Sequence, residues 1–126
     1  MDIEQIVNQA EPDLIAFRRH FHKHPELSQK EFKTLDFIRE KLQSWGISCI
    51  QVPHGGILGF LDSGKPGITV LMRADVDALP VEENRENLSE KRCCLSENKG
   101  VMHACGHDGH MAMLLTEAHI LASHKE

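Results

Sequence analysis

Apolar residues at helical spacing dominate the first third of the chain. Between residues 3 and 24 they recur every three or four positions, which predicts a helix ending before Pro25. Pro12 lies inside this stretch and predicts a kink or a second helix start. A second helix is predicted by one apolar face, formed by Phe32, Leu35, Ile38 and Leu42.

The ends of the second helix also have sequence signals. Ser28 and Glu31 match a capping box, in which each side chain satisfies the other residue's free backbone N–H group. Gly46 follows the last apolar position and is suited to the left-handed conformation just past a helix end.

The middle of the chain changes to short β-like runs. "ISCIQV" and "GILGFL" predict two strands, and "DSGKPG" predicts a turn. The next run, "ITVLM", is apolar throughout and predicts a strand buried on both faces. Residues 81–100 are polar and predict a loop or a weak helix. A third helix is predicted by Met111, Leu114, Leu115, Ala118, Leu121 and Ala122. Helices combined with an apolar strand indicate an α/β fold with a helix-covered sheet.

Composition narrows the class of protein. The chain has 126 residues, 40% hydrophobic and 26% charged, as expected of one globular domain or part of a larger one. Its net charge of −5 argues against nucleic-acid binding. No apolar run approaches the roughly 20 residues of a membrane span, and the N-terminus lacks a signal-peptide pattern. We therefore expect a cytoplasmic protein with no membrane partner.

The richest set of metal-capable side chains is in "VMHACGHDGHMAMLL", residues 101–115. Cys105 and His107 would point to nearly opposite sides of an α-helix, because each residue turns about 100 degrees. A turn at Gly106 lets both face one point, so we expect the pair just before the third helix. Thiolate and imidazole suit zinc and similar metals. His103 and His110 are further local candidates, and Asp108 is placed to cap the helix. The alternative interpretation is a helix cap flanked by solvated histidines.

A second candidate group follows the apolar run, in "VLMRADVDALP". Asp75 and Asp77 share a face of an extended segment, at the kind of strand end where ligands bind in open α/β sheets. They could ligate a metal, or accept a hydrogen bond from a ligating histidine. They could equally be ordinary turn-forming aspartates.

The remaining histidines and cysteines carry weaker signals. His20, His22 and His24 alternate on a predicted helix and scatter around its axis, so we interpret them as a solvated helix end. A structural zinc site using Cys93 or Cys94 with the 101–115 motif is less favoured. A nucleophilic role for Cys105 is also less favoured, because no orienting or oxyanion motif accompanies it.

Three segments, in this order, resemble the M20 metallopeptidase family, in its amidohydrolase branch: "RRHFHKHPELSQKEFKT", "RADVDALP" and "GVMHACGHDGHMAMLL". The branch includes hydrolases of N-acyl amino acids, of hippurate and of auxin conjugates. The resemblance implies that Cys105 and His107 are ligands at a site for two divalent metal ions (Zn, Mn, Co or Ni). It implies supporting roles for Asp75, Asp77, Asp108 and His110.

The resemblance implies a zinc-peptidase-like catalytic domain that hydrolyses small amide substrates such as N-acyl amino acids, with homo-oligomers possible in the full-length enzyme. Family members are several times longer. The general-base glutamate, three more metal ligands and the lid or dimerisation domain fall beyond residue 126. We therefore expect residues 1–126 to be the N-terminal part of a catalytic domain, without appreciable activity alone. The alternative is a non-catalytic fragment that binds a metal or a partner.

Overall fold

The computed structural model describes residues 2–86 and 92–125. Their regular elements are helix α1 (Ile3–Lys23), helix α2 (Phe32–Ser44), strand β1 (Ser48–Gln51), strand β2 (Ile57–Phe60) and helix α3 (His107–Ser123). The predicted α/β class is confirmed, with two helices before the strands and one helix after the metal-capable motif.

Helix α1 is continuous and passes through Pro12. The Asp2 side chain caps its start by accepting a hydrogen bond from the backbone N–H of Gln5, at 3.3 Å. The helix ends at Lys23, and Pro25 is fully buried just beyond it. The predicted stop at Pro25 is therefore confirmed, whereas a second helix start at Pro12 is wrong.

Helix α2 is capped by a residue that the sequence pattern did not indicate. Neither Ser28 nor Glu31 makes a side-chain cap, so the predicted capping box is wrong. The carboxylate of Glu26 accepts hydrogen bonds from the backbone N–H groups of Lys33 and Thr34, at 3.2 and 2.6 Å. At the other end Gly46 adopts the predicted left-handed conformation, with φ 73°.

The two strands predicted from the sequence are present, and the structure pairs them as an antiparallel hairpin. Ser48 pairs with Phe60 and Gln51 pairs with Ile57. One side of the hairpin approaches the helices, where Ile47 and Leu42 lie 3.4 Å from the position of a Cβ on Gly59. A Cβ added at Gly59 would therefore be in ordinary van der Waals contact with these two side chains.

The hydrophobic core lies where α1 packs against α3, with α2 and the hairpin closing one side. Its buried members come from the three helices and from the connection between α2 and β1: Phe17, Phe21, Leu42, Ile47, Met111, Ala112 and Leu115. Ala112 has no exposed surface, so α1 and α3 approach closely at this point. The third helix predicted from the sequence is confirmed, although Leu121 of its predicted apolar face is 43% exposed.

Residues 68–72, the "ITVLM" run, differ from the prediction. They form no strand, and Ile68 and Leu71 are 91% and 80% exposed. The prediction of a strand buried on both faces is therefore wrong for the described residues. The physical reason is that β1 pairs only with β2 in the part of the chain that the structure describes, so this run has no neighbouring strand to bury it.

The polar region 81–100 contains no regular element in its described part, and residues 87–91 lie outside the described residues. Among residues 2–86 and 92–125, no helix combines the length and apolar character needed to cross a bilayer.

Candidate metal centre

A short backbone bridge brings the two candidate groups of the sequence together. Leu79 and Met102 exchange two backbone hydrogen bonds of 3.0 Å. The bridge aligns the segment that carries Asp75 and Asp77 with the segment that leads into the 101–115 motif. Two stretches about 30 residues apart therefore meet, as the separation of 30 residues between Asp77 and its partner His107 shows.

The turn at Gly106 separates the two predicted metal ligands. Gly106 has φ 83° and is the N-cap residue of α3, a conformation that glycine adopts without strain. Cys105 precedes the turn and its side chain is exposed as a free thiol. His107 is the first residue of α3, not a residue before it. The predicted turn is present, but α3 begins at His107, whereas the sequence predicted that the helix starts after this residue.

The orientation of His107 is fixed by Asp77. The Nδ1 atom of His107 lies 2.9 Å from the backbone oxygen of Asp77 and 3.0 Å from its carboxylate Oδ1. Both partners are acceptors, so Nδ1 carries the proton and donates it. The lone pair of a neutral ring is then on Nε2, which is the tautomer that a metal ligand needs.

Two other predicted residues lie around His107. The carboxylate Oδ2 of Asp75 is 3.8 Å from Nε2, beyond hydrogen-bond distance, and Arg73 holds the other oxygen of Asp75 at 2.5 Å. The exposed ring of His110 lies one turn along α3, with its centroid 5.7 Å from that of His107. The structure therefore gathers Asp75, Asp77 and His110 around one imidazole.

The donor set suits a transition metal but is incomplete. Cys105 offers a thiol and His107 a free Nε2, and a catalytic zinc ion takes three protein ligands. Within residues 2–86 and 92–125, no three His, Cys, Asp or Glu side chains converge in a way that could hold an ion. The residues fit part of a metal centre, and the same finding gives no support to a zinc site built from Cys93 or Cys94.

Asp108 does not cap α3 as predicted. It lies inside the first turn of the helix, where no side chain caps the N-terminus, and its side chain is 3% exposed. One carboxylate oxygen accepts the backbone N–H of Gly109, at 2.9 Å. The other contacts His22 at 2.8 Å and Arg18 at 3.1 Å. The side chain of Asp108 therefore points toward α1. Its contacts with His22 and Arg18 compensate for the water that a buried carboxylate loses.

The prediction that His22 belongs to a solvated helix end is wrong, because this residue is buried. Its side chain is 4% exposed, and its two nitrogens lie 2.8 Å from Asp108 and 2.8 Å from Glu83. Glu83 also accepts a hydrogen bond from Arg92, at 2.7 Å, and from the backbone N–H of Ser96, at 2.6 Å. Helical spacing gave no signal for this burial, since the partners are 86 and 61 residues away.

The charges in this group stabilise one another. The hydrogen bond to Asp108 raises the pKa of His22 above its ordinary value, against the opposing effect of burial. Burial disfavours the carboxylate of Asp108, but the hydrogen bond from His22 and the charge of Arg18 lower its pKa overall. Glu83 behaves alike: burial is outweighed by hydrogen bonds from Ser96 and His22, and its pKa is lowered.

His103 is different, because its buried ring has no hydrogen-bond partner among the described residues. It is 4% exposed, and neither ring nitrogen makes a hydrogen bond within residues 2–86 and 92–125. Burial is the largest effect and lowers its pKa from 6.5 to about 4. His103 is therefore neutral at pH 7.

The sequence has relatives of known type. A model of peptidase family M20/M25/M40 matches residues 71–126. An N-acyl-L-amino acid amidohydrolase from Geobacillus stearothermophilus is 48% identical over 122 residues, which are 96% of this chain and 32% of that protein. Thermostable carboxypeptidase 1 from Saccharolobus solfataricus is 45% identical over 95% of this chain and 30% of its own length.

The fold also has a solved counterpart. The Bacillus subtilis YXEP protein, a dinuclear metal-binding peptidase from the M20 family, superimposes with a TM-score of 0.81 and 36% identity. The match covers 94% of this chain and 32% of that structure. The chain thus spans about a third of the length of the relatives it matches.

Proposed function

Because the chain belongs to the M20 peptidase family, we propose that it supplies part of a dinuclear metal centre that hydrolyses the amide bond of N-acyl amino acids or similar small amides. Cys105 and His107 are the metal ligands that it contributes. The substrate class follows the Geobacillus stearothermophilus relative, and two metal ions follow the Bacillus subtilis structure.

The observation that supports the proposal most strongly is the hydrogen bond between His107 Nδ1 and Asp77. Carboxylates that hold the remote nitrogen of a ligating histidine fix its tautomer and raise its basicity. The same bond turns Nε2 away from Asp77, on the side where Asp75 lies. An ordinary turn-forming aspartate would not be expected to hydrogen-bond the remote nitrogen of a candidate metal ligand.

The roles of the chain's own residues follow from these contacts. Asp77 keeps the Nδ1 proton of His107 in place, and Cys105 offers a thiol that deprotonates when it binds a cation. Asp75, close to Nε2, and His110 line the same side. The bound ions would supply Lewis-acid polarisation of the scissile carbonyl and a more acidic water.

Further ligands and the general-base glutamate are required for turnover, and the resemblance assigns them to parts of the relatives that this chain does not cover. We therefore expect the 126-residue chain by itself to bind a metal weakly and to hydrolyse no N-acyl amino acid at an appreciable rate. A small-molecule amide is the expected substrate of the complete enzyme, and homo-oligomers of that enzyme stay a prediction from the resemblance. The cytoplasmic location stays a prediction from the sequence.

A chimeric enzyme tests the proposal. The segment of the Geobacillus stearothermophilus amidohydrolase that this chain matches is replaced by the chain, and release of amino acid from N-acetyl amino acids is measured with added zinc, manganese or cobalt. We expect metal-dependent hydrolysis by the chimera and none by the isolated chain. Cys105→Ser should lower kcat/KM by about 100-fold or more, since it removes a ligand of the reacting metal centre.

The matched control is Cys93→Ser, because Cys93 is also an exposed free thiol but lies outside the candidate centre. It should leave hydrolysis unchanged. Equal activity in the Cys105→Ser chimera would refute the ligand assignment. A folded chimera that binds metal without hydrolysing any amide would refute the enzyme proposal and favour a non-catalytic metal-binding role. Robust turnover by the isolated chain would refute the expectation that it is inactive alone.

A further inference from the structure

His22 lies between two buried carboxylates that come from different parts of the chain. Its Nδ1 atom is 2.8 Å from Asp108 Oδ2, and its Nε2 atom is 2.8 Å from Glu83 Oε1. The side chains of all three residues are at most 5% exposed. Water therefore cannot replace either contact, and each buried acceptor depends on its partner in the protein.

Both contacts require a cationic ring. A neutral imidazole has one N–H group and one lone pair, so it could donate to only one carboxylate and would face the other with its lone pair. An imidazolium donates from both nitrogens. Two charge-assisted hydrogen bonds in a buried setting are among the stronger polar contacts in proteins. Without His22, Asp108 would keep Arg18 and Glu83 would keep Arg92, but no side chain of the described residues would join the two carboxylates.

The three residues join the elements that carry the candidate metal centre. His22 is on α1, and Asp108 is on the first turn of α3, next to His107. Glu83 holds the backbone N–H of Ser96, and the Ser96 hydroxyl donates to the backbone oxygen of Val101, at 2.6 Å. The segment before the 101–115 motif, through Glu83 and Ser96, and the start of α3, through Asp108, are thus both linked by hydrogen bonds to the His22 ring.

We propose that His22 is a positioning residue that fixes the turn carrying Cys105 and His107 by holding Asp108 on one side and Glu83 on the other. The proposal rests on the proposed function, since it concerns how that metal centre is held. His22 touches neither predicted ligand; it acts through the N-terminus of α3 and through the connection before the motif.

Cobalt(II) binding by the 126-residue chain tests the proposal, with the thiolate-to-cobalt absorption band as the signal and no need for activity. His22→Gln keeps a polar side chain but supplies donors to one carboxylate only. We expect this variant to bind cobalt about 10-fold to 100-fold more weakly, the range typical of residues that support metal ligands. His24→Gln is the matched control, because His24 is exposed at the end of the same helix; it should bind cobalt like the wild type.

A double-variant cycle separates positioning through Asp108 from a general loss of stability. If His22 acts through Asp108, the variant with both His22→Gln and Asp108→Asn should bind cobalt about as weakly as the weaker single variant. Losses that multiply would overturn the proposal, and so would wild-type affinity in His22→Gln. Circular dichroism verifies that the helices are retained in each variant.

Hydrogen exchange of the Gly109 amide decides the question without any metal. This N–H group is bonded to Gly106 and to Asp108, so it reports on the first turn of α3. We expect about 10-fold faster exchange in His22→Gln than in His24→Gln. Equal exchange would overturn the proposal. If wild-type chain gave no thiolate band, the proposed metal centre would fail, and the exchange result alone would decide whether His22 positions the turn.

Discussion

Two regions reverse the usual relation between polarity and burial, in which polar side chains are exposed and apolar ones are buried. They are the surroundings of the α1–α3 interface and the exposed run of residues 68–72. At the interface, His22, Asp108 and Glu83 are ionisable yet nearly inaccessible. In the run, Ile68, Val70 and Leu71 are apolar yet 68% to 91% exposed. The difference lies in what each segment has beside it. The ionisable residues have oppositely charged partners at hydrogen-bond distance, whereas the described residues give the apolar run no neighbouring strand.

The comparison shows that side-chain character alone does not decide burial. A charged group can be buried when its hydrogen-bond capacity is filled, because the partner replaces the lost water. An apolar group is buried only where a complementary surface approaches it, and an exposed contiguous apolar run is uncommon on a monomer. The two regions should therefore respond very differently to substitution.

The largest effect is expected at the interface core. Phe21→Ala removes a ring that is 1% exposed and should lower the free energy of unfolding by about 3–5 kcal/mol. Urea denaturation followed by circular dichroism measures it. Ile3→Ala, on the same helix but at a position that is 72% exposed, is the control and should cost less than about 0.5 kcal/mol. Similar losses for the two variants would contradict the described packing of α1.

The next effect depends on pH and concerns His103, whose buried ring makes no hydrogen bond within the described residues. The pKa of His103 is 6.5 in the unfolded chain, and burial lowers the pKa to about 4 in the folded chain. The unfolded state therefore binds more protons in between, and stability falls as pH falls, by about 1.4 kcal/mol per unit below pH 6.5.

His103→Leu should remove this dependence, so the difference between variant and wild type should grow by roughly 2 kcal/mol from pH 7 to pH 5. Urea denaturation of both proteins at several pH values measures the difference. The control is His24→Gln, whose ring is exposed. A difference that stays constant from pH 7 to pH 5 would show that His103 is not held neutral by burial.

The smallest effect is expected in the exposed run. Leu71→Ser should change the free energy of unfolding by less than about 0.5 kcal/mol, because a side chain that is 80% exposed contributes little packing. Thermal and urea denaturation measure it. A loss above about 1 kcal/mol would mean that this leucine is buried in solution, and the contrast between the two regions would disappear.

Local signals in the sequence predicted the three helices and the glycine after α2, but not the helix caps. Helical spacing gave α1, α2 and α3, and Gly46 adopts the left-handed conformation expected past a helix end. The β-like runs predicted the two strands, and their pairing as a hairpin came from the structure. Asp77 was expected to accept a hydrogen bond from a ligating histidine, and its carboxylate accepts one from His107 Nδ1. The metal-ligand roles of Cys105 and His107 stay predictions.

Features that depend on distant residues were not predictable from spacing. The burial of His22 depends on Asp108 and Glu83, 86 and 61 residues away, and neither separation has a periodic signature. The cap of α2 comes from Glu26, six residues before the helix begins, because the chain folds back after Pro25. The run at 68–72 was mispredicted because periodicity describes a strand and says nothing about its neighbours.

Gly106 imposes a requirement of chirality on the turn between Cys105 and His107. Among the described residues beyond its chain neighbours and the nearby helix backbone, no atom lies within 4 Å of the position where a Cβ on this residue would stand, so space is available for a side chain. The obstacle is the positive φ of 83°, which L-residues rarely adopt and which their mirror images prefer. A D-alanine introduced by chemical synthesis would fit where L-alanine would strain the backbone. The turn between Cys105 and His107 thus requires glycine because of its left-handed backbone conformation, and not because a side chain would lack space.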